Sequence, residues 1–241
     1  MSGHSKWNNI KHKKEKADAA KAKIFTKIGK EMAVAIKEGG PDPSNNTRLR
    51  DLIAKAKANN VPNENIQRTI KKFTDSNDIN YEEITYEGYG PSGVAIIVET
   101  STDNRNRTAG NVRAWFSKYG GNLGQNGCVA YLFEEKGVIT IVDEDEEIEE
   151  DKIMEDALEC GAEDIRSDEG EYKIYTATDD LDSVRDAIIA LGYKIETADL
   201  AKVPSTYVEL TSEEDVENME KMLDKFNEDD DVTAVFTNWD N

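Results

Sequence analysis

The spacing of apolar residues changes once along this chain, and that change bounds what it can fold into. From about Ala17 to Lys72 they recur at three- and four-residue steps, the period of one helix face. Beyond the polar link from Phe73 to Asn80 they gather into strand-length runs separated by turn residues. Ile24, Phe25, Ile28, Met32, Ala35 and Ile36 form a first helical stripe, which Gly39-Gly40-Pro41 stops. A second helix carries Leu49, Leu52, Ile53 and Ala56. A third opens near Pro62-Asn63, with Asn63 able to cap it, and buries Ile66 and Ile70. Short connections between them give a compact three-helix bundle.

Charge divides at the same place. The 241 residues hold 30 Lys+Arg against 50 Asp+Glu, a net charge of −20. Residues 1–72 alone hold 17 basic and 7 acidic side chains, a net of +10, and the remainder carries −30. The first third is therefore attracted to polyanions, and the rest is repelled by them or faces basic proteins. Lys-rich helices can also be merely soluble, but here the basic charge is contiguous. Within residues 1–16, Lys6, Lys11, Lys13, Lys14 and Lys16 surround Trp7 and both histidines, with little apolar surface to bury. Lysine supplies point charges for phosphates, and binding gains from counterion release. Trp7 can stack on a base or dock on the bundle. Lys outnumbers Arg and no helix-turn-helix signature appears, which suits backbone contacts better than base reading.

The acidic part reads as two small α/β units. Ile84–Tyr89 and Val94–Thr100 are strands around a Gly90-Pro91-Ser92-Gly93 turn. Thr102-Asp103 then caps a helix with the stripe Ala109, Val112, Phe116 and Tyr119, and Val129–Phe133 forms a further strand. From Gly137 the order is strand, helix, strand, strand, helix, strand: 138–142, 149–160, 164–167, 172–177, 181–191 and 194–200. That is the split βαβ order of ferredoxin-like domains. The middle unit lacks a second helix and a closing strand, whereas the segment after Pro204 has both. The expected fold is thus α+β: a bundle over 1–72, a discontinuous ferredoxin-like domain from 73–134 plus 203–241, and an inserted acidic ferredoxin-like domain over 135–202.

No constellation argues for catalysis. Gly88-Tyr-Gly90-Pro-Ser-Gly93 matches G-x-G-x-x-G, but a strand follows where a dinucleotide loop needs a helix, so a hairpin turn is the better reading. Gly121, Gly124 and Gly127 line a loop with no Lys-Ser or Lys-Thr after it. Eight acids in nine residues from Asp143 to Asp151 lack EF-hand spacing and read as a solvated helix start; Asp229–Asp231 is read the same way. Cys128 and Cys160, far in sequence from either histidine, read as small buried hydrophobes. We expect no enzyme, no metal and no cofactor. No run of about 18 apolar residues is present, so no membrane partner is expected either.

GHSKWNNIKHKK, KIFTKIGKEM, EGGPDPSNNTRLR, KAKANNVPNENI, YEEITYEGYGPSGVAIIVE, TDNRNRTAGNVR and GGNLG together closely resemble the YebC/PmpR family of transcriptional regulators, whose mitochondrial relatives act as translational activators. The resemblance covers nearly the whole chain and is most specific through about Phe133. It implies three domains in the inserted arrangement and a nucleic-acid-binding basic N-terminal domain. Carried over by motif, Lys6, Trp7, Lys11, Lys13 and Lys14 fall in the tail, Lys23, Lys27, Arg48, Arg50, Lys55 and Lys57 in the bundle, and Arg105 and Arg107 in a second patch; Lys16 joins them by composition. Cys128 stands where Ser is usual, and 73–80 lacks the usual Gly-rich linker. The start has no apolar h-region and no transit segment precedes it, so the bacterial branch and a cytoplasmic location are expected. The implied function is a DNA-binding transcriptional regulator. The alternative is a ribosome-associated, RNA-binding translation factor whose acidic units meet basic proteins.

Overall fold

The computed structural model describes residues 23–75, 80–143, 148–168 and 170–240. The fold is α+β and separates into two compact units, one ending at Val129 and resuming at Val208, the other spanning Ala130–Tyr207.

In the first unit α1 (23–39), α2 (Thr47–Ala58) and α3 (Asn63–Asp75) form the bundle. Ile28, Met32, Ala35 and Ile36 of α1 meet Leu49, Leu52 and Ala56 of α2 and Ile66 and Ile70 of α3 in one apolar cluster. Ile24 lies outside it, 37% exposed. Asn46 is the joint between α1 and α2. It is buried, accepts from the Leu49 amide at 3.0 Å to cap α2, and donates to the carbonyls of Ala35 and Gly40 at 2.7 and 2.8 Å.

The same unit holds β1 (Glu82–Tyr89), β2 (Ala95–Thr102), α4 (Arg105–Lys118) and β3 (Asn122–Leu123). Its sheet has the order β3-β1-β2-β9, all antiparallel, with β9 (Val232–Thr237) contributed by the chain's last segment. Ile96 and Val98 on one face pack with Val112 and Phe116 of α4 and with Met219, Met222 and Phe226 of α7 (Glu213–Glu228). Gly88 is required there: a Cβ would lie 2.6 Å from the Asn122 carbonyl and 2.9 Å from the Phe116 ring. The G-x-G-x-x-G stretch is a hairpin connection, with a 3-10 turn at Pro91–Gly93 and Gly93 at φ +83°.

Three local expectations are corrected. The helix cap is Asn104, whose side chain accepts from the Arg107 amide at 3.1 Å; the Thr102 hydroxyl is turned inward to Asp231 at 3.1 Å. Thr108, not Ala109, completes the buried stripe of α4, because its hydroxyl donates to the same carboxylate at 2.8 Å. Of the strand expected at 129–133, only Phe133 is in one. The buried Glu87 carboxylate takes the amides of Gly127 and Val129 at 2.7 and 2.9 Å, and a 3-10 turn at Ala130–Leu132 follows. The strand that returns from α4 is β3, and the next begins only at Phe133.

The second unit runs β4 (Phe133–Val142), α5 (Glu150–Glu159), β5 (Asp164–Asp168), β6 (Glu171–Thr176), α6 (Leu181–Ala190) and β7 (Thr197–Pro204). Its sheet order β5-β6-β4-β7 is antiparallel throughout, the ferredoxin-like layout. Ile139, Ile141, Ile165 and Ile174 pack under Ile153 and Ala157 of α5 and Val184 and Ile188 of α6. Back in the first unit, β8 (Val208–Glu209) pairs in parallel with β10 (Trp239–Asp240).

Candidate nucleic-acid interface

The lysines of α1 at positions 23, 27 and 30 fall on one helix face. All three are directed at the corner between α7 and β9. Lys23 Nζ donates to the Glu228 carbonyl at 3.4 Å, Lys27 Nζ to the Asn227 carbonyl at 3.2 Å, and Lys30 Nζ to the Asp230 carbonyl at 2.8 Å. The last carbonyls of a helix lack intrahelical donors and carry the negative end of its dipole. Lys23 and Lys27 therefore act as a C-terminal cap supplied from another helix, while Lys30 bonds a carbonyl just beyond it. Burial, joined by the charge of Lys23, lowers the Lys27 pKa, and Asp229 and Asp230 oppose that shift.

Asp231 lies at the centre of this corner. It is 4% exposed and accepts from Lys30 Nζ at 2.6 Å, Arg107 Nη2 at 2.6 Å and Thr108 Oγ1 at 2.8 Å. Burial pushes its carboxyl up, but the bonds from Lys30, Arg107 and Thr108 outweigh that and hold it at about 2. The expectation of a solvated acid at this position is overturned, since each oxygen meets a cation. Asp229 is also engaged, accepting from Asn111 Nδ2 at 3.1 Å and from the Asp231 amide at 2.7 Å. Arg107 is shared between Asp231 and Asp103, the latter at 2.9 Å.

The other cations named from the sequence are more open. Arg48 pairs with Glu38 at 3.0 Å and with Glu83. Arg50 and Lys57, seven residues apart on α2, are exposed. Lys55 is half-buried and close to Glu31, whose carboxyl is raised by burial and held back by Lys55. Arg105 is exposed in the first turn of α4, a turn with no acid of its own, so its charge adds to the positive helix end. Lys6, Trp7, Lys11, Lys13, Lys14 and Lys16 lie outside the described residues.

The second unit has a different chemistry. Its 7 basic and 24 acidic side chains give it a net charge of −17. A cleft of about 180 Å³ on it is lined by Glu134, Lys136, Asp164, Arg166 and Tyr175. The Arg166 guanidinium sits over the rings of Tyr175 and Tyr207, 5.5 and 5.3 Å from their centroids, and donates to the Tyr207 hydroxyl at 2.7 Å. Its charges are nearly balanced, so it exerts little pull on an anion. Cys128 and Cys160 are free and half-buried, their thiols pushed up by burial. Among the described residues no cluster of His, Cys, Asp or Glu is grouped to hold a metal ion, and no helix is long and apolar enough to cross a membrane.

Two family models account for almost all of this layout. The TACO1/YebC N-terminal domain matches residues 5–76, and the TACO1/YebC second and third domain matches residues 81–239. The chain belongs to the TACO1/YebC family. Relatives named "Probable transcriptional regulatory protein" include one from Agathobacter rectalis, 55% identical, and one from Lachnoclostridium phytofermentans, 52% identical, each aligned over 100% of both chains. A crystal structure of a conserved hypothetical protein from Aquifex aeolicus matches with a TM-score of 0.82 and 43% identity, covering 93% of this chain and 92% of that one. For a TACO1/YebC chain, the sequence motifs singled out Lys23, Lys27 and Arg107 as surface cations; their ties to Asn227, Glu228 and Asp231 had no signal in the sequence, because the partners lie 124 to 205 residues away.

Proposed function

We propose that this protein is a nucleic-acid-binding regulator of gene expression, acting as a DNA-binding transcriptional regulator that grips phosphates through its basic N-terminal domain. The observation that carries this reading is the net charge of +10 on residues 1–72 within a chain of net −20. The names of the relatives agree with it. The proposed contacts are Lys6, Trp7, Lys11, Lys13, Lys14 and Lys16 in the tail, Arg48, Arg50, Lys55 and Lys57 in the bundle, and Arg105 on α4. Lys23, Lys27 and Arg107 complete the proposed contacts, although the first two donate to the Glu228 and Asn227 carbonyls and Arg107 is paired with Asp231 and Asp103. The reading takes 1–72, 73–134 with 203–241, and 135–202 as the three domains, and the cytoplasm as their location.

A ribosome-associated, RNA-binding translation factor is the second reading. It is favoured by the excess of Lys over Arg in residues 1–72, 14 against 3, because base-edge reading in duplex DNA leans on arginine. One titration separates the two. Full-length protein is added to a promoter duplex, a random duplex and a structured RNA across a range of salt. Regulation predicts the promoter bound at least a thousandfold more tightly than random DNA; equal affinity for both duplexes with tighter RNA binding would replace it by the second reading. Replacing Arg50 and Lys57 together by Ala should reduce the slope of log K against log salt by about two on duplex DNA. An unchanged slope would remove the α2 face from the interface.

A further inference from the structure

We propose that α2 and α3 form a helix-turn-helix in which α3 enters the major groove of duplex DNA and reads base edges through Gln67 and Arg68. The inference rests on the proposed DNA-binding role and adds to it a reading surface separate from the phosphate grip.

The connection between the two helices sets their geometry. Four residues, 59–62, join Ala58 to Asn63, the length of turn that such a motif uses. Its hydrogen bonds close a tight corner. The Val61 amide donates to the Ala56 carbonyl at 3.0 Å, and the Asn60 amide to the Lys57 carbonyl at 2.9 Å. That pair of bonds is the Schellman end of a helix, which places a left-handed residue just past the cap. Asn60 supplies it at φ +58°. Asparagine tolerates that region better than most side chains, so a turn often marked by glycine is hidden in the sequence. Val61 then packs against the apolar cluster that joins Ala56 of α2 to Ile66 and Ile70 of α3, so one core fixes both helices.

Burial of Ile66 and Ile70 turns the other side of α3 outward, where Glu64, Gln67, Arg68 and Lys71 are all exposed. These residue types suit base edges. A guanidinium donates as a fork to O6 and N7 of guanine, and a carboxamide bonds N6 and N7 of adenine. Residues 1–72 contain three arginines. Arg48 is engaged by Glu38 and Glu83, and Arg50 lies on α2, which leaves Arg68 as the arginine of α3. Arg68 pairs with Glu64 one turn away at 3.1 Å, the two side chains 72% and 85% exposed. So open a pair is held weakly, and guanine can take it over. The released Glu64 carboxylate can accept from a cytosine amino group. The first helix of such a motif crosses the DNA backbone, and α2 carries the exposed Arg50 and Lys57. Phosphate gripping and base reading thus fall to successive helices.

The test mixes full-length protein with duplexes of about 30 base pairs, randomised at ten central positions, and sequences the bound fraction. A preferred site containing guanine and adenine is expected, bound at least a thousandfold more tightly than a scrambled duplex. Arg68→Lys keeps the charge but loses the fork, and should cut that ratio about tenfold. A similar loss is expected when 7-deazaguanine replaces the selected guanine. The two changes together should lose little more than either alone. Gln67→Ala should relax the choice at an adenine in the same selection. Both positions are exposed, and unchanged far-UV circular dichroism checks that the variants fold. A selection that returns no preferred base, or an Arg68→Lys protein with the parent's ratio, overturns the reading by α3. If the joint replacement of Arg50 and Lys57 still lowers the salt slope in that case, the phosphate grip stands without it. If no duplex is retained, or a structured RNA displaces every duplex, the DNA-binding role falls as well.

Discussion

The two four-stranded sheets share a layout but treat charge in opposite ways. In each, two strands joined through a helix flank a third, and two helices cover one face. The sheet of the Ala130–Tyr207 unit has an apolar core, and its ion pairs, such as Lys136 with Glu163 at 3.0 Å, stay at the surface. The sheet built from β1, β2, β3 and β9 buries two carboxylates, Glu87 and Asp231, and gives each its own set of donors. A buried carboxylate that is fully bonded fixes geometry more than it adds stability. The difference teaches that the first sheet serves as an anchor for the bundle and for the loop after β3, whereas the second is a self-sufficient module.

That contrast can be broken by experiment, beginning where the effect should be greatest. Asp231→Ala leaves Lys30 and Arg107 without their shared partner and should cost about 3 kcal/mol of stability. Trp7, Trp115 and Trp239 all lie outside 130–207, so tryptophan fluorescence during urea unfolding follows the first unit alone. A midpoint equal to that of the parent protein would show that the corner is not an anchor. Acid should act on the same group. The Asp231 carboxyl is at about 2 when folded, below the ordinary 3.8. Its contribution is complete above the ordinary value and is lost as pH falls through the folded one. About 2 kcal/mol should therefore disappear between pH 5 and pH 2, and Asp231→Asn should flatten that limb.

Smaller effects sharpen the comparison. Glu87→Gln keeps one acceptor but presents an amide donor to the backbone of the 124–129 loop, and about 1–2 kcal/mol should be lost. Faster amide exchange at Gly127 and Val129 would mark the site. Lys136→Ala, its counterpart on the second sheet, breaks only exposed pairs. It should shift stability by no more than about 0.5 kcal/mol, as read by thermal denaturation; a loss above 2 kcal/mol would put the two sheets in one class.

Much of the fold was legible because it depends on local periodicity. The stripe of α2 and α3, the β1–β2 hairpin and the strand–helix order of the second unit can all be read from neighbours within a few residues. What failed depends on distant partners. A run of three aspartates after a helix looks like a solvated cap unless Lys30, some 200 residues earlier, is known to meet it. Thr108 looks like an ordinary polar position until Asp231 is placed beside it. The expected strand at 129–133 has the right composition, but Glu87 has claimed two of the amides leading into it. The charge of the α1 lysines was correctly counted, yet counting cannot tell a lysine aimed at solvent from one that closes the end of a remote helix.

The reach of Lys30 to Asp231 also carries a consequence for synthesis. Translation proceeds at roughly 5–20 residues per second, so α1 leaves the ribosome on the order of ten to forty seconds before the aspartate it will hold. During that interval β2 is likewise short of its neighbour β9, while the Ala130–Tyr207 module can already close on itself. A nascent chain of this protein thus spends its growth with its cationic front end unlatched and able to sample other anions, and only the final stretch of the message locks it down.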